Sequence, residues 1–213
     1  MNNTGVQILS ILIPTIPPRE FMFMTLLEEV TKQAFNCMDD HPMLGRVGIY
    51  WNDEKAFLDG GLSIGKKRDD LLRRAEGKYL CFLDDDENIA PNYVETILRL
   101  CQQDMDVVTF RSIAKLDTYW SIIDMRLSHP ENEQASPDYI VHRRPWHINA
   151  IRSEIAKRYT FPDTNYSEDS DWMNNVILDL KTEAHTDAVL HQYNHSKKHS
   201  EADKIITHGL LAK

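Results

Sequence analysis

The sequence is poor in cysteine and has no long apolar run. Cys37, Cys81 and Cys101 are its only cysteines, and none belongs to a CxxC pair. This argues against a disulfide framework and against a cysteine zinc site. The longest apolar run near the start, residues 8–16, is interrupted by polar residues and proline. It falls short of the roughly 20 residues that cross a bilayer, and no signal-peptide pattern precedes it. We therefore expect reduced thiols, no membrane span and a cytoplasmic location.

Positive charge is not in excess either, because the formal net charge is -9. This net negative charge disfavours non-specific binding to nucleic acids, although a local basic patch is still compatible with it. The length of 213 residues fits one globular domain with a sizeable core.

Strand and helix patterns alternate in the first half. Strands are predicted at 7–15, 46–51 and 79–83, with helices at 21–35 and 64–76 between them. The second helix is expected to end at Gly77 as a C-terminal cap. This order is typical of a mostly parallel, Rossmann-like sheet with crossover helices.

The second half has weaker patterns. Helices are predicted at 92–101, 149–158 and 170–180, and short strands at 106–110 and 189–193. Residues 111–147 have little periodicity. The sequence contains no internal repeat, so we expect a single α/β domain.

Four consecutive acids follow the third predicted strand, at Asp84, Asp85, Asp86 and Glu87. Ligands of open α/β sheets bind at this edge. Adjacent carboxylates repel one another unless cations offset the repulsion, and Mg²⁺ or Mn²⁺ does so while also binding phosphate oxygens. In an extended segment Asp84 and Asp86 point to the same side. The alternative is a solvated turn that caps the next helix.

Three cations, Lys66, Lys67 and Arg68, occupy the predicted start of helix 64–76. The helix dipole disfavours cations there unless an anion lies among them, and free backbone N–H groups at helix starts bind phosphate. Glycines at 60, 61 and 65 permit close backbone approach. Together with the acidic cluster, this segment predicts a site for a diphosphate and its metal. The alternative is a solvated basic face balanced by neighbouring aspartates.

Three segments resemble the family 2 glycosyltransferases with the GT-A fold. They are LSILIPT at 9–15, SIGKKRDDLLRRAEGKYLCFLDDDENI at 63–89 and FPDTNYSEDSDW at 161–172. Their order and spacing are similar to those of the family's motifs, and the central segment is the most specific. Residues 111–145 match nothing in that pattern. The resemblance implies a single GT-A domain over 1–213. Its nucleotide-sugar half would be about 7–110, its acceptor half about 111–195 and its tail 196–213.

The resemblance also implies roles for individual residues. Asp84 and Asp86 would form the DxD pair that holds Mn²⁺ or Mg²⁺, with Asp86 the direct ligand and His195 completing the metal shell. Asp69 replaces the family's usual asparagine after Arg68. The residues expected to contact a nucleotide-sugar donor, taken as a UDP-sugar, are Thr15, Arg19 or Glu20, Asn52, Asp53, Lys67, Arg68, Asp84 and Asp85.

The acid pair Glu168-Asp169 precedes the predicted helix 170–180. An inverting transfer needs one carboxylate to remove the proton of the acceptor hydroxyl. The resemblance makes Asp169 this base, and Glu168 orients it or the acceptor. The alternative is helix capping, since acids are ordinary at helix starts.

Two late segments are ambiguous. His191 and His195 are four residues apart, a spacing that suits a metal site if they lie on one helical face. Residues 142–159 are rich in arginine, lysine and aromatics, which suits a nucleic-acid backbone, a sugar acceptor or a solvated helix face. In the family's layout His147 lies near the acceptor.

These patterns predict a metal-dependent inverting glycosyltransferase. Its acceptor would be a saccharide hydroxyl or a hydroxymethylated DNA base, as in phage-type enzymes. The alternatives are a nucleotidyltransferase with a similar fold, which would release pyrophosphate, and a non-catalytic nucleotide-binding module.

Overall fold

The computed structural model describes residues 5–116, 119–130, 133–135 and 140–194. Its strands are β1 Gln7–Pro14, β2 Arg46–Asn52, β3 Tyr79–Phe82, β4 Asn88–Ile89, β5 Val107–Leu116, β6 Tyr119–Met125, β7 Glu133–Ala135, β8 Ile140–Arg143, β9 Ala150–Arg152 and β10 Glu183–Tyr193. Its α-helices are α1 Glu20–Asp40, α2 Ile64–Arg74, α3 Tyr93–Cys101, α4 Ser153–Ala156 and α5 Glu168–Val176. No helix in these ranges is long and apolar enough to cross a membrane.

The described strands form one sheet, with main order β2-β1-β3-β9-β5-β6-β8-β7. Strand β1 pairs in parallel with both β2 and β3. Strand β9 lies antiparallel between β3 and β5, so β5 runs in the same direction as β1. Strand β10 pairs in parallel with β5 and antiparallel with β4. The predicted α/β fold with a central parallel sheet is confirmed.

Helices cover both faces of the central strands. Alternate side chains of β1 and β3 point to opposite faces, as the period of two in a strand requires. Cys81 and Leu83 pack with α1 and α3, whereas Leu80 and Phe82 pack with α2 and α5. Because both faces are buried, these strands are continuous apolar runs in the sequence.

Gly77 does not cap α2, and this prediction is wrong. The helix ends at Arg74, and the N–H of Gly77 instead donates to Ser10 Oγ at 2.8 Å. A Cβ at this position would lie 2.7 Å from the backbone of Leu9 and Ser10. The glycine is therefore needed where the chain packs directly against β1.

The prediction of a helix at 149–158 is wrong for its first part and correct only for Ser153–Ala156. These residues begin with β9 and continue into the short helix α4. Ala150 and Ile151 pair with β5, and Ile151 also pairs with β3. Strand pairing across the sheet overrides the local helical pattern here. The weakly periodic stretch 111–147 contains most of β5 and all of β6, β7 and β8.

Candidate active site

The acidic cluster forms a turn rather than an extended segment. The backbone N–H of Glu87 donates to the carbonyl of Asp84 at 3.0 Å, and the N–H of Asp84 donates to Glu87 Oε2 at 2.9 Å. Asp84 and Asp86 therefore do not follow the alternation of a strand, and the expectation that they point to one side on that ground is wrong. Each of them contacts a different arginine.

Arg68 lies at the centre of the site and is buried. Its Nη2 is 2.7 Å from Asp84 Oδ1, and its Nη1 is 2.8 Å from Glu168 Oε1 and 3.8 Å from Asp169 Oδ2. Burial alone would raise the pKa of Asp84, but Arg68 outweighs it and lowers that pKa to about 2. One guanidinium thus connects the acidic turn with the acid pair at the start of α5.

Arg19 forms the second ion-pair centre. It contacts Asp86 and lies 2.8 Å from Asp85 Oδ1. The hydroxyl of Thr15 donates to Asp85 Oδ2 at 2.6 Å. Burial raises the pKa of Asp85 to about 7, although Arg19 and Thr15 both act in the opposite direction. Three of the residues predicted to contact the donor therefore lie together at the carboxyl end of β1 and β3.

Lys67 contributes to the structure around this edge. Its Nζ donates to the carbonyl of Thr15 at 2.8 Å and also to the carbonyl of Glu54. A Cβ on Gly65 would lie 1.9 Å from the carbonyl oxygen of Pro162. The described contacts of this segment thus join β1, the loop after β2 and the loop before α5.

Asn52 and Asp53 line an open cleft beside β2 and α2, with a volume of about 830 Å³. The side-chain amide of Asn52 donates to Asp70 Oδ2 at 3.1 Å. Lys66 and Arg73 line the same cleft. Both predicted residues therefore border a space that is open to a ligand.

A smaller cavity of about 320 Å³ brings together acids from distant parts of the chain. Asp84, Asp169 and His147 line it, together with Trp146 and Arg143. Asp169 Oδ1 accepts from the N–H of Ser170 at 2.7 Å, and Asp169 Oδ2 is 3.4 Å from His147 Nδ1. The predicted base and Asp84, the first residue of the predicted DxD motif, thus share one cavity, whereas Asp86 lines a neighbouring cleft beside α1.

The protonation states in this cavity differ from those in water. Burial lowers the pKa of His147 to about 4, and Arg68 adds to this effect. Burial would raise the pKa of Asp169, but His147 and Arg68 outweigh it and hold the pKa below its usual value. Burial raises the pKa of Glu168 despite its pairing with Arg68. At neutral pH the cavity therefore presents a neutral imidazole beside an ionised Asp169 carboxylate.

The sequence patterns did not reveal the pairing of Glu87 with His191. His191 Nε2 is 2.9 Å from Glu87 Oε2, and His191 Nδ1 is 2.7 Å from Ser112 Oγ. All three side chains are buried. His191 lies in β10, so the interpretation of a helical face shared with His195 is wrong. His195 lies outside the described residues.

Among the described residues, two groups have the donor atoms of a metal site. They are Asp124 with His129 and His142, and Asp124 with His185 and Asp187. Neither group includes Asp84 or Asp86. The DxD pair has carboxylate donors that are 30% and 15% exposed, which suits a hard divalent cation.

The sheet order and the position of the acidic turn define an α/β fold of the GT-A type. The sequence pattern of the family described as Glycosyl transferase family 2 matches residues 57–160. This match covers α2, β3 and the acidic turn and ends before α5. The resemblance to the family 2 glycosyltransferases is therefore confirmed over that segment. No curated protein sequence matches the chain.

Solved structures of glycosyltransferases share this fold. S. aureus TarS (residues 1–349) in complex with UDP matches with a TM-score of 0.61 and 15% identity, over 90% of this chain and 62% of that chain. Its complex with UDP-GlcNAc matches with a TM-score of 0.62 and 15% identity, over 92% and 61%. The mannosyltransferase PcManGT from Pyrobaculum calidifontis, in complex with GDP-Man and Mn²⁺, matches with a TM-score of 0.52 and 12% identity, over 99% and 63%. This chain thus spans less than two thirds of the length of each of these structures, and at such identities the likeness shows the fold.

Proposed function

We propose that this protein is a metal-dependent inverting glycosyltransferase that moves a sugar from a nucleoside diphosphate to a hydroxyl acceptor. The observation that carries the proposal is the shared cavity, where Asp84 of the acidic turn and Asp169 of α5 meet. The base must reach the acceptor hydroxyl that attacks the anomeric carbon, and the metal-binding carboxylate must lie beside the diphosphate that leaves it; a cavity lined by Asp84 and Asp169 suits both requirements.

The donor would lie along the carboxyl ends of β1, β2 and β3. Thr15 and Arg19 border the acidic turn, and Asn52 and Asp53 border the cleft beside β2. TarS was solved with UDP and UDP-GlcNAc, and PcManGT with GDP-Man. Within the proposal the donor is a UDP-sugar.

The proposal also keeps two expectations from the sequence. The nucleotide half and the acceptor half of the domain meet near residue 110, and the protein is located in the cytoplasm.

Asp84 and Asp86 would hold Mn²⁺ or Mg²⁺, because both offer partly exposed carboxylates. The bound ion would supply stabilisation of the charge that develops on the departing diphosphate. Arg68 and Arg19 contact these two carboxylates and would therefore lie beside that diphosphate. Asp85 stays bound to Thr15 and supports the turn.

Asp169 would act as the general base through its Oδ2. The N–H of Ser170 holds the other oxygen, Oδ1, and so fixes the orientation of the carboxylate. Because the pKa of Asp169 is low, Oδ2 is ionised and can accept the proton of the acceptor hydroxyl at neutral pH. Glu168 is a positioning residue, since it binds the Arg68 guanidinium that faces Asp169.

The acceptor would enter beside Trp146, which lines the cavity. The guanidinium of Arg143 lies 4.0 Å from the centre of the Trp146 ring, and Arg144 binds Asn174. A saccharide hydroxyl is the acceptor in this proposal, with a hydroxymethylated DNA base as the variant. Charge reversal of Arg143 and Arg144 separates the two, because only a DNA acceptor predicts a large, salt-dependent loss of acceptor binding.

Donor binding can be tested by thermal shift. UDP or a UDP-sugar with Mn²⁺ is expected to raise the melting temperature of the wild-type protein. A ligand at 100 times its dissociation constant adds about 2.7 kcal/mol of stability. The shift is expected to disappear in Asp86→Ala because the carboxylate at the diphosphate is lost.

Asp39→Ala is the matched control, since this exposed aspartate lies at the far end of α1. The control is expected to keep the full shift. An equal, metal-dependent shift in Asp86→Ala would contradict the proposed metal position. Release of pyrophosphate instead of nucleoside diphosphate during turnover would favour the nucleotidyltransferase.

The proposed base should keep its charge across the mildly acidic range. Because the folded-state pKa of Asp169 is below its usual value and that of His147 is about 4, neither group changes charge between pH 8 and 5. The acidic limb of kcat/KM that belongs to the base is therefore expected below about pH 4. Initial rates across this range test it, with circular dichroism at each pH as the control for unfolding. Asp85, with its pKa of about 7, can itself produce a limb in this range. An acidic limb with a midpoint between pH 6 and 7 that persists in Asp85→Asn would therefore assign the base to another group.

A further inference from the structure

A cluster of histidines and aspartates lies on the face of the sheet opposite the candidate active site. Ile123 and Met125 of β6 line the active-site cavity, so Asp124 between them points to the other face. In β8 the same alternation places Arg143 at the cavity and His142 on the opposite face. This cluster is therefore separate from the acidic turn.

Three donor atoms converge in the cluster. His142 Nδ1 is 3.7 Å from Asp124 Oδ2, and His129 Nε2 is 3.9 Å from the same oxygen. The potential ligand atoms of the three residues all lie within 4.8 Å of one another. Tetrahedral Zn²⁺ with bonds of about 2.0–2.1 Å places its ligands roughly 3.3 Å apart. The two distances to Asp124 Oδ2 exceed this value by about half an ångström, so small side-chain rotations would bring the three atoms to a zinc ion, with the fourth position open to water.

The hydrogen bonds of His129 fix its tautomer. Its Nδ1 lies 3.1 Å from the backbone carbonyl of Asp124, and a carbonyl can only accept. Nδ1 must therefore carry a proton, so the neutral ring has its lone pair on Nε2, which faces the Asp124 carboxylate. Histidines that bind metals are commonly oriented in this way, through a hydrogen bond from the other ring nitrogen.

His142 offers a second ring nitrogen that could bind a metal ion. Its Nδ1 is buried and has no hydrogen-bond partner within the described part of the chain. A buried polar atom without a partner is costly, so it requires an explanation. A cation between this nitrogen, His129 Nε2 and Asp124 Oδ2 would give His142 Nδ1 a partner, while Asp124 Oδ2 also accepts from Arg126 Nε at 3.2 Å.

We propose that Asp124, His129 and His142 form a second metal site, which binds Zn²⁺ and is distinct from the ion expected at the DxD motif. Two imidazoles and one carboxylate suit Zn²⁺ better than Mg²⁺ or Mn²⁺, which prefer all-oxygen sets. The site joins β6, the turn after it and β8, so bound zinc would fix the acceptor half of the sheet.

Two arginines must be accommodated, because Arg111 and Arg126 both contact Asp124. Both also contact Asp187 Oδ1, at 2.8 and 2.7 Å. Asp187 therefore keeps both arginines paired when zinc takes the Asp124 carboxylate. His185 also contacts Asp187, with its Nε2 3.3 Å from the same oxygen.

The test is zinc titration of the tag-free, full-length protein after removal of metals with a chelator. Calorimetry is expected to show one equivalent of bound Zn²⁺, and Co²⁺ in its place is expected to give the visible absorption of a tetrahedral site. His142→Gln is expected to weaken zinc binding by more than about 100-fold, since changes outside the ligand shell alone cost about 10–100-fold. His129→Gln is expected to have a similar effect.

Two controls keep the outcomes distinct. The first control is His41→Gln, which changes a histidine elsewhere on the surface. The second is the double variant Asp84→Asn and Asp86→Asn, which removes the DxD carboxylates. Both proteins are expected to bind zinc at the second site as the wild type does. No zinc binding by the folded wild type, or unchanged binding in His142→Gln, overturns the proposal. Binding that survives in His142→Gln but is lost in His185→Gln places the ion in the other group and also overturns it. None of these outcomes bears on Mn²⁺-dependent donor binding, which is measured separately.

Discussion

Replacing Asp169 with asparagine is expected to lower the turnover number by about 10²–10⁴-fold, the usual contribution of a general base. The amide is nearly isosteric and can still accept the N–H of Ser170, but it cannot accept a proton from the acceptor hydroxyl. Donor affinity is expected to stay within about twofold, because a base acts on the acceptor rather than on the nucleotide. Release of nucleoside diphosphate with saccharide acceptors and the metal-dependent thermal shift measure the two effects.

Asp171→Asn is the matched control for this experiment. Asp171 also lies in the first turn of α5, but its side chain is exposed. Both substitutions remove one negative charge near the positive end of the helix dipole, so they share the same small capping cost. Asp171→Asn should therefore retain near wild-type turnover. Full turnover in Asp169→Asn would identify Asp169 as a capping residue and remove the base from the proposal.

The sequence predicted the central strands well because they are buried on both faces. The runs that became β1 and β3 are continuously apolar, and the acids that follow β3 must lie at the carboxyl edge of the sheet. The amphipathic pattern predicted α5, and the acid pair Glu168-Asp169 is at its start. These predictions depend only on local periodicity and on the direction of neighbouring strands.

Features that depend on distant partners were not predictable. Nothing near Ile151 in the sequence indicates that it pairs with both β3 and β5, so local helix propensity gave the wrong answer there. The orientation of each carboxylate in the acidic turn likewise depends on which arginine it contacts. Arg68 turns Asp84 toward Glu168, which is far away in the sequence. The buried pairing of Glu87 with His191 has the same origin, since β4 and β10 meet only in the folded sheet.

Arg68→Met is expected to destabilise the fold by about 3 kcal/mol, the usual cost of removing one partner from a buried ion pair. Methionine fills a similar volume but leaves Glu168 and Asp84 without their shared cation. Glu168 is only 7% exposed, so water cannot replace the guanidinium there. Urea denaturation of both proteins at pH 7.5 measures the difference in free energy of unfolding.

The pH dependence and a control on the same helix distinguish this effect from lost packing. Without Arg68, burial raises the pKa values of Asp84 and Glu168 above those of the unfolded chain. The folded protein then binds protons more readily, so the deficit is largest near pH 8 and shrinks as the pH falls toward 5. Arg74→Met breaks an exposed pair with Asp70, in which the side chains are 48% and 43% exposed, and is expected to cost less than about 1 kcal/mol. A deficit in Arg68→Met that does not change with pH would mean that the contacts of the side-chain stem, rather than its charge, stabilise the site.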